Sequence, residues 1–324
     1  MTIAFIFPGQ GAQAPGMGRG LHEAFGAARE VFQEVDEALG EGLSRLIFEG
    51  PAEELTLTAN AQPALMAVSL AVVAALAEAG VEIGRDVAFV AGHSLGEYSA
   101  LAAAGALPVA ATAKLLRLRG IAMQQAVPPG EGAMAALLGL DRAAAEEVAA
   151  LAAGGEVIAV ANDNAPGQCV VSGHRGAVER AMEIARGRGA RRPMLLPVSA
   201  PFHCPLMAPA AERMRAALAN AEIAAPCVPV VANVTAAPVD GVDRIRALLV
   251  EQVTATVRWR ESMEWLARHG VDRVYEIGSG RVLTGLMKRI DDAVAARAIG
   301  GPDDVATAAG EILAAAAEKP SAHV

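Results

Sequence analysis

Residues 92–96 read G-H-S-L-G and match G-x-S-x-G, the pattern of a nucleophile elbow. They follow an apolar, strand-like run at residues 87–90 and open a helix-like run at residues 97–104. In this setting the two glycines leave room for a tight turn that displays the Ser94 hydroxyl. The amide of Leu95, at the start of the helix, could then help to stabilise an oxyanion. The sequence therefore predicts that Ser94 is a nucleophile.

A serine nucleophile needs a general base, and histidine is the usual one because its pKa lies near neutral pH. Of the six histidines, His203 is the best candidate because it lies in a predicted loop between a strand and a helix and follows the serine in the chain. The alternative is that His203 caps the helix that begins at Pro205. His93 is next to Ser94, but neighbouring side chains on an extended segment point apart.

A catalytic triad normally places an aspartate or glutamate between the serine and the histidine in the sequence. No convincing acid is found there, since Asp141 is predicted to cap a helix and Asp163 lies in the segment N-D-N of the predicted smaller subdomain. Two possibilities stay open at this point. Either a backbone carbonyl or an amide orients His203, or the triad interpretation fails.

Two arginines, Arg117 and Arg119, lie on the predicted helix that follows the elbow. A solvated basic face is the simplest interpretation, and it is favoured for Arg117. Arg119 could instead point into a cleft, where its guanidinium group is suited to bind a carboxylate with two parallel hydrogen bonds. In that case the acyl substrate carries a free carboxylate of its own.

A second glycine-rich segment, residues 9–14, follows the first predicted strand and formally matches the dinucleotide-binding pattern G-x-G-x-x-A. However, Pro8 and Pro15 bracket it and no helix starts at its second glycine. No acidic strand end follows about twenty residues later, as that pattern requires. We therefore expect no nucleotide cofactor. The alternative is that this loop folds beside Ser94 and offers the amide of Gln10 as a second oxyanion donor.

Composition narrows the class of protein. The chain has 324 residues, a formal net charge of −9 and three cysteines without metal-type spacing. The negative charge disfavours nucleic acid or an anionic membrane as the main partner. The longest apolar stretch, residues 64–77, suits a buried helix better than a membrane span, and no signal peptide is recognised. We expect a cytoplasmic protein without a metal ion, with disorder only from Lys319 onward.

Hydrophobic patterning predicts an α/β protein that begins with a buried strand at Ile3–Phe7 and a helix at residues 19–39. A break at residues 127–130 separates this part from a region with the order β-α-β-β-α-β, the ferredoxin-like pattern. In that region the predicted strands are residues 132–138, 157–161, 169–172 and 193–198, and the predicted helices are residues 142–152 and 176–188. We predict a larger subdomain of residues 1–127 and 199–324, and a smaller inserted one of residues 128–198.

Several separated motifs agree in order and spacing with one known family. They are F-P-G-Q-G at residues 7–11, the elbow with Glu97 and Tyr98, Arg119, N-D-N-A-P-G-Q at residues 162–168, A-P-F-H at residues 200–203, Gln252 with V-R-W at residues 257–259, and E-I-G-S-G at residues 276–280. Together they resemble the malonyl-CoA:acyl-carrier-protein transacylases, the malonyl loaders of fatty acid synthesis, over nearly the whole chain. The departures are slight: Asp163 stands where many relatives carry Asn, and Ser279 where many carry Pro.

The resemblance implies a fold, partners and residue roles. The fold is an α/β-hydrolase-like larger subdomain with an inserted ferredoxin-like one, and the partners are malonyl-CoA and acyl carrier protein, with no cofactor. The implied roles are Ser94 as nucleophile, His203 as base and then acid, Arg119 as the group that binds the malonyl carboxylate, the amides of Gln10 and Leu95 as the oxyanion hole, the main-chain carbonyl of Gln252 as the group that orients His203, Asn164 as a support from the smaller subdomain, and the ring of Phe202 as a barrier to an α-methyl group.

Other functions share parts of this pattern. A serine esterase or thioesterase would use Ser94 and His203 but needs no cationic group, whereas a malonate decarboxylase transacylase subunit or a free-standing polyketide acyltransferase would share every motif. We expect a monomer that docks an acidic carrier protein, which requires a local basic surface on this acidic chain. The candidate basic residues are Arg186, Arg188, Arg191, Arg192, Lys288 and Arg289.

Overall fold

The computed structural model describes residues 1–317, and the expected disorder from Lys319 onward lies outside them. The strands are β1 Ile3–Phe7, β2 Phe89–Gly92, β3 Gly132–Leu138, β4 Ile158–Ala165, β5 Gln168–His174, β6 Met194–Leu195, β7 Val230–Ala232, β8 Ala237–Pro238, β9 Arg273–Ile277 and β10 Ala295–Ile299. The helices are α1 Arg19–Ala24, α2 Gly26–Leu39, α3 Leu43–Glu49, α4 Ala52–Thr56, α5 Thr58–Glu78, α6 Ile83–Asp86, α7 Gly96–Ala103, α8 Val109–Gln125, α9 Arg142–Ala152, α10 Arg175–Gly187, α11 Ala208–Ala219, α12 Val242–Glu251, α13 Trp259–Arg268, α14 Val282–Ile290 and α15 Pro302–Ala317.

The larger sheet has the strand order β10-β9-β1-β2-β7-β8. Every neighbouring pair is parallel except β7 and β8. All five residues of β1 are buried, as expected for a central strand that is covered on both faces. The carboxyl ends of β1, β2 and β7 therefore meet at one edge, which is where the loops of a parallel sheet build a site.

Helix α5 lies in the core against α2 and α8. By length and composition it is the one helix among residues 1–317 that could cross a membrane, but 78% of its apolar window is buried inside the protein. Its Ser69 hydroxyl donates a hydrogen bond of 2.8 Å to the main-chain carbonyl of Ile277, at the end of β9. Burial against other protein elements explains why this helix is apolar around its whole circumference.

The smaller sheet is antiparallel, with the strand order β4-β5-β3-β6. Along the chain its elements run β3-α9-β4-β5-α10-β6, as the sequence predicted. Helix α9 begins after Asp141, whose carboxylate accepts a hydrogen bond of 2.9 Å from the amide of Ala144. The predicted helix cap at Asp141 is thus confirmed.

A short backbone pairing joins β4 to the segment before α13. The amide of Asp163 donates to the carbonyl of Val257 at 3.0 Å, and the amide of Val257 donates to the carbonyl of Ala161 at 2.9 Å. The buried carboxylate of Asp163 also forms an ion pair with Arg260, at 2.8 Å. The sequence predicted a strand that ends at residue 161, but β4 continues to Ala165 because residues 162–165 go on pairing with β5.

Three other predicted elements differ from the structure. The helix predicted at residues 19–39 is two helices, α1 and α2, because Phe25 between them is extended, with φ −120° and ψ 129°. The strand predicted at residues 87–90 begins two residues later, at Phe89. The strand predicted at residues 193–198 is reduced to Met194–Leu195, and the residues after it line a cleft instead.

The glycines of the elbow are required by close backbone contacts. A Cβ atom on Gly92 would lie 1.9 Å from the carbonyl carbon and oxygen of Gly96. A Cβ atom on Gly96 would lie 2.3 Å from the carbonyl oxygen of Phe7, in the adjacent strand. The turn between β2 and α7 can therefore close only when position 92 lacks a side chain, and it can pack against β1 only when position 96 lacks one.

We expect Gly92→Ala to lower the free energy of unfolding by about 3 kcal/mol, because its methyl group would collide with the backbone of Gly96 at the start of α7. Gly310→Ala is the matched control: Gly310 lies within α15, and nothing lies within 4 Å of an added Cβ. That control should be neutral or stabilising by up to about 1 kcal/mol. Chemical denaturation of both variants measures the difference, and equal stability of the two would contradict the close contact.

Candidate active site

Ser94 lies in the turn between β2 and α7, with a positive φ of 53°. This conformation is unfavourable for a residue with a side chain and needs support from its surroundings. Asn233, directly after β7, supplies it. Its Oδ1 accepts a hydrogen bond of 2.7 Å from the amide of Ser94, and its Nδ2 donates one of 2.6 Å to the carbonyl of Gly92.

His203 lies 2.7 Å from the nucleophile, measured from its Nε2 to the Ser94 Oγ. Its Nδ1 lies 2.9 Å from the main-chain carbonyl of Gln252. Because a carbonyl oxygen can only accept, Nδ1 carries the proton and Nε2 is left to accept one from the serine. The partner that orients the ring is thus a carbonyl, the first of the two possibilities left open by the sequence.

The protonation of His203 follows from its surroundings. The side chain is buried, and burial together with the positive charge of Arg119 lowers the pKa of His203 to about 3. The ring is therefore neutral at physiological pH and available to accept a proton.

Arg119 points into the cleft rather than to solvent, and only 1% of its surface is exposed. Its Nη2 donates to the Ser94 Oγ at 3.2 Å and to the side-chain Oε1 of Gln252 at 3.0 Å. Its Nη1 donates to the Oε1 of Gln62 at 2.8 Å. Arg117, by contrast, is held at the protein surface by Glu41 and Asn60. A carboxylate that enters beside Ser94 would thus meet a positioned guanidinium group.

A buried polar network lies behind the nucleophile. The Glu97 carboxylate is 3% exposed, and its Oε2 accepts hydrogen bonds from Gln252 Nε2 at 2.8 Å and from the amide of Asn233 at 2.9 Å. Gln252 Nε2 also donates to the carbonyl of Ser94 at 3.0 Å. Burial raises the pKa of Glu97 to about 7.

Sequence reasoning missed the contacts of Gln62, Glu97 and Asn233. Each is a polar residue in a largely apolar predicted helix or strand, and this pattern could have indicated a buried polar side chain that needs a partner. Their partners are far away in the chain, so the pattern alone did not indicate what they bind.

The cleft in front of Ser94 has a volume of about 470 Å³. All the site residues predicted from the sequence line it except Gln252, which is fully buried behind Ser94. Gln10 is on one wall, where its side-chain Nε2 donates to the Thr58 hydroxyl at 3.2 Å. Asn164 is on the smaller sheet, with its Oδ1 2.8 Å from the Nε2 of His93. The remaining predicted residues of the lining are Leu95 and Phe202.

Two other kinds of chemistry find little support in the described residues. Within residues 1–317, no group of three or more His, Cys, Asp or Glu side chains could hold a metal ion. Cys204, next to His203 in the chain, is buried and donates to the carbonyl of Pro201 at 3.1 Å. Burial raises the pKa of its thiol, which disfavours the reactive thiolate.

Comparison with known proteins agrees with this geometry. The family model described as an acyl transferase domain matches residues 4–298. The malonyl CoA-acyl carrier protein transacylase of Escherichia coli (strain K12) is 46% identical over 306 residues, which is 94% of this chain and 98% of that protein. The enzyme of the same name from Bacillus subtilis (strain 168) is 47% identical over 304 residues, 94% of this chain and 95% of its own length.

Two solved structures of malonyl-transferring enzymes are also similar to this chain. An acyl-carrier-protein-S-malonyltransferase from Bartonella henselae has a TM-score of 0.95 and 54% identity, and the match covers 96% of this chain and 99% of that one. A malonyl-transacylase in complex with a type II PKS acyl-carrier protein has a TM-score of 0.93 and 41% identity, and the match covers 96% of this chain and all of that one. This chain has a mixed α/β fold and belongs to the acyl transferase domain family, among the malonyl-CoA:acyl-carrier-protein transacylases.

Proposed function

We propose that this enzyme transfers the malonyl group of malonyl-CoA to the phosphopantetheine thiol of acyl carrier protein, through an ester on Ser94, in fatty acid synthesis. The observation that carries the proposal is the position of the Arg119 guanidinium, 3.2 Å from the hydroxyl of a serine that is hydrogen-bonded to His203. A serine and a histidine would suffice for an esterase. The buried cation beside them suits an acyl group that ends in a second carboxylate.

The first half of the reaction forms the ester. The malonyl carboxylate binds to Arg119, which places the thioester carbonyl beside Ser94. The Ser94 oxygen attacks the carbonyl carbon while His203 Nε2 takes the hydroxyl proton. The C–S bond then breaks, and His203 returns this proton to the departing CoA sulfur.

The second half repeats these steps with a different thiol. The phosphopantetheine thiol gives its proton to His203 and attacks the malonyl ester from the same side. The bond between the acyl carbon and the Ser94 oxygen then breaks, and the oxygen takes the proton back from His203. Because each half uses the same site, the kinetics are expected to be ping-pong.

Each half passes through a tetrahedral intermediate with a negatively charged oxygen. We assign its stabilisation to the amides of Gln10 and Leu95, which belong to two loops at the carboxyl edge of the larger sheet. Leu95 precedes α7, so the helix N-terminus adds a favourable dipole at this position. The hydrogen bond from Gln10 to Thr58 supports the assignment, because it ties the Gln10 loop to the start of α5.

Two further residues have proposed roles, Phe202 in substrate selection and Asn164 in support of the site. The ring of Phe202 lines the cleft directly before His203 in the chain. We assign it the exclusion of an α-methyl group on the acyl chain. Asn164 reaches the cleft from β4 and holds His93, so we assign it a supporting role in the site.

We also propose that the larger sheet with its helices is an α/β-hydrolase-like subdomain of residues 1–127 and 199–324, and that residues 128–198 are a ferredoxin-like insertion. The mostly parallel six-stranded sheet with Ser94 after β2 supports the first part. The four-stranded antiparallel sheet and its β-α-β-β-α-β order support the second.

A monomer that acts in the cytoplasm remains our proposal for the working form. Two observations support the cytoplasmic part of this proposal. The three cysteines are unpaired in the structure, which suits a reducing compartment, and the long apolar helix α5 is mostly covered by the protein itself.

Docking of the acidic carrier protein is proposed at the basic residues near the rim of the cleft. Arg191 and Arg192 are exposed just before the residues 196–198 that line it. Arg188 is a weaker candidate than the sequence indicated, because it forms an ion pair with Glu147 at 2.5 Å. Arg289 is also engaged, since it donates hydrogen bonds to Gln168 and to the carbonyl of Pro166. The remaining candidates are the exposed Arg186 and Lys288.

Mixing the protein with malonyl-CoA should give a covalent adduct of one malonyl group, detected by mass spectrometry of the intact protein. Ser94→Ala should abolish the adduct, because no hydroxyl remains to form the ester. Addition of carrier protein should remove the adduct much faster than water does. Rapid hydrolysis without an acceptor thiol would instead identify an esterase, and an adduct that persists in Ser94→Ala would overturn the role of the serine.

Arg119→Ala should lower the preference for malonyl-CoA over acetyl-CoA at least about tenfold, because only the malonyl group loses a charged hydrogen-bond partner. Arg117→Ala is the matched control, two positions away on the same helix but held at the surface. Steady-state kcat/KM for both substrates measures the preference. An unchanged ratio in Arg119→Ala, or an equal loss in Arg117→Ala, would remove Arg119 from this role.

Reversing the charge of Arg191 and Arg192 to Glu should raise the KM for carrier protein several-fold, and the effect should shrink as salt is added. The KM for malonyl-CoA should stay the same. Reversal of Arg29 and Arg45, exposed on α2 and α3 and away from the cleft, is the control for total charge. Arg191 and Arg192 would be excluded from docking if their reversal left the KM for carrier protein unchanged. They would also be excluded if reversal of Arg29 and Arg45 raised this KM equally.

A further inference from the structure

Glu97 is a buried carboxylate to which the proposed reaction assigns no step. It lies in the first turn of α7, yet it is not among the residues that line the cleft. Both of its recorded contacts point to the back of the site, to Gln252 Nε2 and to the amide of Asn233. These two residues are the ones that hold His203 and the Ser94 turn, respectively.

The side-chain amide of Gln252 has two ends with opposite hydrogen-bonding character. Arg119 has only donors, so it requires the oxygen end, and the Oε1 of Gln252 lies 3.0 Å from its Nη2. The oxygen of Glu97 accepts, so it requires the nitrogen end, and Gln252 Nε2 lies 2.8 Å away. The nitrogen end has one other acceptor, the main-chain carbonyl of Ser94 at 3.0 Å. Without an acceptor at position 97, one of the two contacts that oppose rotation of the amide, which would turn its N–H groups towards Arg119, is lost.

Gln252 contacts both the substrate-binding cation and the general base. Its side-chain oxygen aligns Arg119, and its main-chain carbonyl aligns His203. Fixing the Gln252 side chain therefore fixes the position of the substrate-binding cation and restrains the carbonyl that sets the histidine tautomer. Burial makes these contacts matter more, because Arg119, His203 and Gln252 have almost no access to water that could replace a lost partner.

A simpler role for Glu97 is compensation of the α7 dipole, since an acidic residue is favourable in the first turn of a helix. That role is satisfied by an exposed carboxylate and needs no specific partner. Burying a carboxylate costs several kcal/mol unless it is well paired. The first amides of α7 donate to the main-chain carbonyls of residues 93–95, and the Glu97 carboxylate contacts Gln252 and Asn233 instead. These contacts therefore require a different explanation.

We propose that Glu97 is a positioning residue for malonyl selection, which acts by holding the Gln252 amide with its oxygen towards Arg119. The inference rests on the proposed function, because it concerns the same site. It makes the acceptor oxygen at position 97, rather than the charge, the feature that matters. Glutamine at this position can present the same oxygen to both N–H donors, whereas alanine cannot.

The test compares Glu97→Ala with Glu97→Gln in kcat/KM for malonyl-CoA and for acetyl-CoA. We expect Glu97→Ala to lower the malonyl-to-acetyl ratio about tenfold, and Glu97→Gln to recover it to within about threefold of the unchanged enzyme. Asp86→Ala is the matched control, since it removes another buried carboxylate, paired with Arg85 and outside the cleft. It should lower the melting temperature and leave the ratio unchanged.

Several outcomes would overturn the inference. An unchanged ratio in Glu97→Ala would do so, and so would a Glu97→Gln variant that folds but has lost as much selectivity as alanine. If Glu97→Ala does not fold, Gln252→Leu replaces it, because leucine removes the amide through which Glu97 acts and keeps the main-chain carbonyl. Its ratio should fall about as far, and an unchanged ratio would count against the inference.

The wild-type adduct with malonyl-CoA, measured in parallel, distinguishes failure of the proposed function from failure of the role of Glu97. Its absence would overturn the proposed function itself. Its presence, together with an unaffected ratio in the variants, would overturn only the role of Glu97.

Discussion

A positive charge buried beside a nucleophile is the constraint on which the rest of this structure depends. Arg119 is almost completely removed from water, which would cost several kcal/mol without partners. Its acceptors come from separate parts of the chain: Gln62 in α5 and Gln252 after α12. The charge of Glu97 in α7 lies directly behind Gln252. Three helices and a loop must therefore converge before the cation can be buried.

The same constraint explains why a carbonyl, and not a carboxylate, orients His203. A carboxylate at that position would place a fixed negative charge close to Arg119, where it would compete with the carboxylate of a substrate. The Gln252 carbonyl fixes the ring through Nδ1 and adds no net charge. The cost is a histidine whose protonated form is poorly stabilised, which agrees with its lowered pKa. The Arg119 cation thus stays available on the cleft side.

Local pattern was enough to predict the elements whose signals are local. The strand Ile3–Phe7, the cap at Asp141 and the element order of the smaller sheet follow from periodicity and capping chemistry, and the structure has all three. The break at Phe25 and the extension of β4 were missed, because the hydrophobic pattern marks neither the extended backbone at residue 25 nor the continued pairing of residues 162–165 with β5. The elbow was visible because its glycines and serine are adjacent in sequence. Its supports were not, because Asn233 is 139 residues from Ser94, and Gln252 is 155 residues from Glu97.

The backbone pairing between β4 and Val257 has a mechanical consequence. A single short segment carries Gln252, whose carbonyl holds His203, and Val257, which is bonded to the strand that carries Asn164. Residues 252–257 thus connect the two walls of the cleft and also contact the general base, His203. Moving the walls apart would displace this segment and move the Gln252 carbonyl away from the imidazole. Alignment of His203 therefore requires that the two walls stay at a fixed separation. A cleft of fixed width suits the long, thin pantetheine arm, which can enter without movement of the walls.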